Sequence, residues 1–344
     1  MKRSHFMPEP ALQPQVFHVL SRVPVSAELT PTWVRGETAN RLMVILRAPG
    51  CVYDLGPKRG CTYCGYRRLT TGGAQVPASD LVEQLEAALR TWNCDRDQIR
   101  EIDLYNSGSF LNDFEISEGA RLRMLERCAC EISVRVIVVE SRPEYITPER
   151  LAAMRLAMRR PQPLSLEVGI GLDAFDSYVR EKRLRKGFSL CDFERAVSVL
   201  GASGVDLLAY VMLKPTNMEA AEALHDVEEA ANYIHGLARR YGISVRLALE
   251  PTFVVPETPL ACEYLAGHYV PPSLWLVKKA VERIAPLGPV VVGLWDEGLQ
   301  PLAVPSSCQN CRDRLVTILQ LFNRTQDLSA LDIGACECAS SGHS

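Results

Sequence analysis

No run of apolar residues in this chain is long enough to cross a bilayer. No stretch reaches the ~18 residues of a membrane helix, and Met1 to Leu20 lacks the continuous apolar core of a secretory signal. The expectation is a soluble, cytoplasmic protein with no membrane partner. A basic excess is missing too, since 38 Lys and Arg stand against 41 Asp and Glu, a net charge of -3. Proteins that grip a polynucleotide unaided carry surplus cations, so extensive autonomous nucleic-acid binding is disfavoured, while the balance leaves room for a local basic patch. There is no internal repeat beyond the alternation described below, no low-complexity tract and no phosphate-binding glycine loop.

What the chain does have is cysteine, twelve in 344 residues of which 47% are hydrophobic. That length and composition suffice for one large core or a core plus a small appendage. Without a signal peptide the cysteines read as metal ligands or buried thiols rather than disulfides. Cys51, Cys61 and Cys64 share one glycine-rich loop, Cys51-Val-Tyr-Asp-Leu-Gly-Pro-Lys-Arg-Gly-Cys61-Thr-Tyr-Cys64. A closed structural site wants four ligands, whereas three thiolates suit a four-iron cluster with one iron left open for chemistry. Cys61 and Cys64 alone also fit a thioredoxin-like redox pair, and Cys51 is what favours the cluster. A second constellation, Cys308, Cys311, Cys336 and Cys338, fits a closed zinc site or an auxiliary iron-sulfur cluster, unless Cys338 lies in a frayed terminus. Cys94, Cys128, Cys130, Cys191 and Cys262 fall in or near apolar helical patterns and read as buried thiols.

The elements alternate. Leu42 to Ala48, Glu101 to Asn106, Arg135 to Ser141, Ser165 to Gly171, Asp206 to Leu213 and Ser244 to Glu250 are short apolar runs that read as buried strands, with Val290 to Leu294 as a seventh. Helical spacing lies between them, as in Leu81, Leu85, Ala88, Leu89 and Trp92 after Pro77 and a Ser79 cap, and again over Met218 to Tyr241 and Pro272 to Ala285. Strand-helix repetition implies parallel strands and right-handed crossovers, hence an α/β fold, a partial (β/α)6 TIM-like barrel. Chemistry in such a fold gathers at the carboxyl ends of the strands. There the sequence puts the cysteine loop, Asn106 to Phe110, Glu140 to Tyr145, then Glu167, Gly169, Gly171 and Asp173, Lys214 to Asn217, and Glu250 to Thr252. Asp173 and Thr216 could instead cap helices, Glu140 and Arg142 could form a structural ion pair, and Lys214 has no assigned role.

Several of these segments carry a resemblance. Glu140-Ser-Arg-Pro-Glu-Tyr145 is similar to the Glu-Thr-Arg-Pro-Asp-Tyr stretch of the Elongator catalytic subunit, and Asn106-Ser-Gly-Ser-Phe110 resembles its Gly-Gly-Thr-Phe turn. Glu167-Val-Gly169 followed by Arg185-Lys-Gly187 resembles its Glu-Leu-Gly and Arg-Gly-His pair, although Lys186 and Phe188 depart from the latter. With the nine-residue first gap of the cysteine loop, the stretch from Arg41 to Leu294 resembles the radical S-adenosylmethionine superfamily, in the branch of the archaeosine-forming radical enzymes and Elongator. The residues from 295 to 344 do not resemble the acetyltransferase domain of the Elongator subunit.

The resemblance implies a [4Fe-4S] cluster on Cys51, Cys61 and Cys64, with S-adenosylmethionine on the open iron and reductive cleavage to a 5'-deoxyadenosyl radical. It implies that Tyr63 packs on the adenine, that the backbone at Asn106 and Gly108 approaches the methionine portion, and that Glu140 accepts from ribose hydroxyls. Glu167 or Arg142 would pair with the charged ends of methionine, and Lys186 is a further implied cofactor-binding residue. The implied substrate is a nucleoside or modified nucleobase, of the archaeosine-type 7-deazaguanine class with carbon-nitrogen cleavage. Radical sulfur insertion into a nucleoside or nucleotide in antibiotic biosynthesis, using an auxiliary cluster, and a non-catalytic, zinc-stabilised tRNA-maturation partner are the alternatives. Expected partners are an external electron donor and, only with a partner subunit, tRNA. The expected organisation is a strap over 1–40, the radical S-adenosylmethionine partial barrel over 41–294 and a Cys-rich metal-binding extension over 295–344. Within the first part, Phe6 to Val25 reads as a strap or short helix across the barrel and Glu28 to Asn40 as a polar linker.

Overall fold

The computed structural model describes residues 20–57, 60–294, 298–334 and 336–340. The chain opens as a hairpin, β1 (Ser26–Val34) antiparallel to β2 (Glu37–Ile45). Six strands then follow in parallel: β3 (Ile99–Tyr105), β4 (Val136–Glu140), β5 (Ser165–Asp173), β6 (Asp206–Leu213), β7 (Val245–Pro251) and β8 (Val290–Val292). Their order in the single sheet is their order in the chain, which makes a curled partial barrel. The α/β partial barrel expected from the alternation is therefore present, as is the seventh parallel-type strand. The polar linker is not: Glu28 to Asn40 supplies most of the hairpin, and Pro31 is tolerated because β1 is an edge strand. Most of the strap reading, residues 6–19, lies outside the described residues.

Side chains of the strands alternate between two environments. Leu42, Val44, Ile102, Leu104, Ile137, Val139, Val168 and Ile170 join the main core under the helices. Met43, Ile45, Tyr105, Val136, Val138, Leu208 and Ala248 form a second, interior cluster, closed by Val34 of the hairpin. A period of two with both faces apolar is what a parallel sheet covered by helices requires. Below the interior cluster lies a buried ionic layer: Arg246 contacts Glu101 and Glu167 at 3.0 Å each, and Arg41 reaches Asp103 at 3.5 Å. Arg35 at the hairpin turn pairs with Asp206 and ties the hairpin to β6.

Helices cover the outer face. The first turn-length helix is α1 (Val52–Leu55), followed by α2 (Ala78–Thr91), which buries Leu81, Leu85, Ala88 and Leu89 as their spacing predicts. Its N-cap is Pro77 and no side chain caps it, so Ser79 lies inside the first turn rather than ahead of it. Next come α3 (Glu118–Ala129), α4 (Pro148–Ala157), α5 (Leu190–Ser203) and α6 (Ala220–Tyr241). Ser189 and Asp192 form a capping box that starts α5. The remaining long helices are α8 (Leu274–Ile284), after the short α7 (Pro259–Leu265), and α9 (Arg312–Thr325). No described helix is long and apolar enough to cross a membrane.

The open side of the barrel is filled by α9, which touches β1, β2 and β8. The amide side chains of Asn323 and of Gln326, the residue that caps α9, imitate a neighbouring strand. Asn323 accepts from Val292 N at 2.8 Å and donates to Val292 O at 2.9 Å, and Gln326 does the same for Val290 at 2.8 and 2.7 Å. Each amide satisfies one donor and one acceptor that the last strand would otherwise leave bare.

Candidate active site and tail metal centre

The carboxyl ends of the parallel strands enclose a cavity of about 230 Å³. Cys51, Cys61 and Cys64 all line it, together with Gly108, Glu140, Arg142 and Lys186. These residues lie far apart in the chain, from Cys51 to Lys186, and the strand-helix winding brings them to one rim.

The cysteine loop is anchored from two sides. Thr62 donates through its N to the carbonyl of Leu184 and through its hydroxyl to that of Arg183, both at 3.0 Å. On the other side Glu115, buried at 2% exposure, gathers the loop and the turn after β3. Its carboxylate accepts from Val52 N at 3.0 Å, from the amides of Asn106 and Asn112 at 3.1 Å each, and from Ser109 N. Asn106 is thus a buried brace that does not line the cavity, contrary to its expected place beside the methionine portion. Glu115 was not anticipated, because no spacing marks a carboxylate that acts by reaching back 63 residues to Val52.

Burial pushes all three thiols up: Cys51 to about 11, with the Glu115 charge adding to the effect, and Cys64 further, with Cys61 adding. For Cys61, burial raises the value while Lys186 opposes it. Such thiols stay protonated at neutral pH unless a metal displaces the proton. Three soft sulfur donors on one cavity wall, with no fourth cysteine on that wall among the described residues, fit an iron-sulfur cluster with one open iron.

The charged groups around the cavity are mostly paired. Lys186 Nζ lies 2.5 Å from Asp173 Oδ2 and 3.2 Å from the Tyr63 hydroxyl, which itself donates to Asp173. Burial lowers the Lys186 pKa, but the Asp173 charge and hydrogen bond together with Cys61 outweigh it and the net shift is upward. Asp173 ends β5 at φ +67° and caps no helix. Arg142 stacks on Tyr53, 4.1 Å from the ring centroid, and pairs with Glu144 at 2.6 Å, so the Glu140–Arg142 ion pair is absent. Glu140 instead meets the Tyr210 hydroxyl, and burial lifts it to about 7 against that hydrogen bond and the Lys186 charge. Tyr210 in turn lies 3.3 Å from the Tyr105 hydroxyl, which donates to Asp103 at 3.1 Å.

Glu167 is not at this rim. It shares the inward face of β5 with Gly169, Gly171 and Asp173, but four residues before Gly171 at ~3.3 Å each puts it ~13 Å deeper, on Arg246. The two glycines above it keep the cavity open: a Cβ on Gly169 would stand 2.9 Å from the Tyr210 ring, and one on Gly171 2.7 Å from Lys186 Nζ. Lys214 is buried at 4% exposure and holds φ +57° at the end of β6, outside the cavity lining.

At the tail, Cys311 caps α9 and Cys308 precedes it, while Cys336 and Cys338 flank and enter α10 (Glu337–Ser340). The four sulfurs lie within 4.8 Å of one another, with close pairs at 3.3, 3.6, 3.3 and 3.5 Å. Trp275 Nε1 donates to Cys338 Sγ at 3.2 Å, linking the group to α8. Cys338 is therefore gathered with the others rather than frayed. Of the five cysteines read as buried thiols only Cys128 is buried; Cys94, Cys130, Cys191 and Cys262 are exposed, because they occupy polar faces of the helices and turns they belong to.

No family model matches the chain. Among curated proteins it is 29% identical over 312 residues to archaeosine synthase subunit beta of Methanosarcina acetivorans, covering 89% of this chain and 84% of that one. It is 26% identical over 310 residues to the protein of the same name from Thermococcus kodakarensis, covering 89% and 91%. Among solved structures it matches Methanocaldococcus infernus Elp3 lacking its N-terminus (1-46) with a TM-score of 0.51 at 13% identity. The match covers 70% of this chain and 59% of that one, so the chain spans about three fifths of the neighbour's length. The fold is that of the radical S-adenosylmethionine superfamily. The likeness to the archaeosine and Elongator branch, read from four motifs, is thereby borne out.

Proposed function

We propose that this chain is a radical S-adenosylmethionine enzyme acting on a nucleoside-type substrate, with carbon-nitrogen cleavage in an archaeosine-type 7-deazaguanine modification as the specific reaction. The observation that carries the reading is that Cys51, Cys61 and Cys64 open onto one strand-end cavity. An iron-sulfur cluster held by Cys51, Cys61 and Cys64 would supply the electron for reductive cleavage of S-adenosylmethionine, the chemistry by which hydrogen would be taken from the substrate. Arg142 and Lys186 give the cavity wall two cations suited to the methionine carboxylate. Gly108 allows backbone to approach where a side chain would collide. Tyr105, Tyr210, Met212 and Phe253 make much of the remaining wall apolar, which keeps water from a reactive radical.

The relatives' name, subunit beta, supports a partner subunit, and the net charge of -3 supports that partner supplying any grip on tRNA. An external donor would deliver the electron. At the tail, thiolates bound at ~2.3 Å to one tetrahedral ion sit about 3.8 Å apart. The close sulfur pairs at 3.3 to 3.6 Å support a single zinc ion that staples the tail to α8, and give no support to a sulfur-donating auxiliary cluster.

The test is to incubate reconstituted protein, S-adenosylmethionine and reductant with nucleosides bearing a 7-deazaguanine base. Deoxyadenosine formation should rise when the right nucleoside is present, and formation that no nucleoside stimulates would sink the proposal.

A further inference from the structure

Most charged side chains that line the cavity have a partner: Lys186 has Asp173, Arg142 has Glu144, and Glu140 has Tyr210. Glu250, at the end of β7, is the exception among the described residues, with no hydrogen bond or ion pair. Its carboxylate is given room by a second residue, since a Cβ on Gly293 just past β8 would stand 2.0 Å from Glu250 Oε2. The cavity surfaces that accompany it are aromatic and aliphatic, Tyr105, Tyr210, Met212 and Phe253, which suit a flat ring rather than an ion. Glu250 is partly buried and its carboxylate lines the cavity, so a ligand that excludes water there must itself bring the donors that no protein group supplies.

We infer that Glu250 is a specificity-determining residue, and that its carboxylate receives two adjacent N–H groups from the edge of a planar heterocycle lying against the tyrosines. This rests on the nucleoside reading above and names the residue that would read the base. A carboxylate oxygen pair matches paired N–H donors bidentately, and a site built for such donors rejects a ligand that lacks one. Burial and the neighbouring Glu140 charge raise the Glu250 pKa to about 8, which a bound donor pair would bring down.

The test is equilibrium dialysis of guanosine, inosine and 1-methylguanosine against the full-length, reconstituted protein and its Glu250→Gln variant. Guanosine should bind the wild type at least ~10-fold more tightly than either analogue, because each removes one of the two donors. Glu250→Gln should cut guanosine affinity by a similar factor and leave the analogues nearly unchanged. Equal guanosine affinity in the two proteins, or equal affinity of the wild type for guanosine and 1-methylguanosine, would overturn the assignment to Glu250. A wild type that binds none of the three would overturn the nucleoside reading itself. Glu250→Asp, which keeps the carboxylate, should retain more guanosine affinity than Glu250→Gln, and the reverse order would also count against the inference.

Discussion

Gly108 carries the tightest restriction at the cysteine loop. A Cβ there would stand 2.0 Å from Glu115 Oε2 and 2.9 Å from Cys51 N, so alanine must push apart the brace and the ligand it positions. Gly108→Ala is expected to lower iron retained after reconstitution severalfold, whereas Gly119→Ala, with nothing within 4 Å, should retain wild-type iron. Equal iron in both would contradict the account of Glu115. The raised carboxyls give a second prediction at this scale. Glu140 and Glu250 hold protons to about pH 7 and 8 in the fold, yet ionise near 4.5 when unfolded. The folded state therefore binds more protons between those values, and unfolding free energy should fall as pH rises from about 5 to 8. Glu250→Gln should flatten that slope, as followed by urea denaturation across the range. Residues of this kind were legible in part. Cysteine spacing and charged strand ends marked Cys51, Cys61, Cys64, Glu140, Asp173 and Glu250, since ligand chemistry and β/α geometry act on residue type and position alone. Glu115 and the Lys186–Asp173–Tyr63 contact were not, because they depend on packing between distant segments.

Among the elements, the parallel strands announced themselves because burial on both faces demands unbroken apolar runs such as Val136 to Val139. The hairpin strand β1 did not, since it is an edge strand, largely half-buried, and interrupted by Pro31. The strand-like role of Asn323 and Gln326 was equally hidden, as amides on a helix ordinarily face water. Asn323→Leu keeps the branched outline of the side chain but leaves Val292 N–H and C=O unpaired, and should cost about 1–3 kcal/mol in urea denaturation. A change near zero would mean that water replaces the amide at the β8 edge.

Over the whole molecule, two sulfur sites of different geometry divide the work. The tail sulfurs are nearly in contact and tie α9 and α10 to Trp275, whereas the loop thiols open onto the barrel mouth. Removing a tail ligand with Cys308→Ser should release zinc and lower the thermal midpoint while the loop keeps its iron. Loss of loop iron together with zinc would show that the sites are not separate. The most direct test of the central claim is a count of iron, sulfide and zinc on anaerobically reconstituted wild type and Cys61→Ala. The account predicts about four irons and four sulfides per wild-type chain, a brown protein, and loss of both colour and iron in the variant with zinc unchanged. Iron far below one cluster per chain, or iron that survives the loss of Cys61, would contradict it.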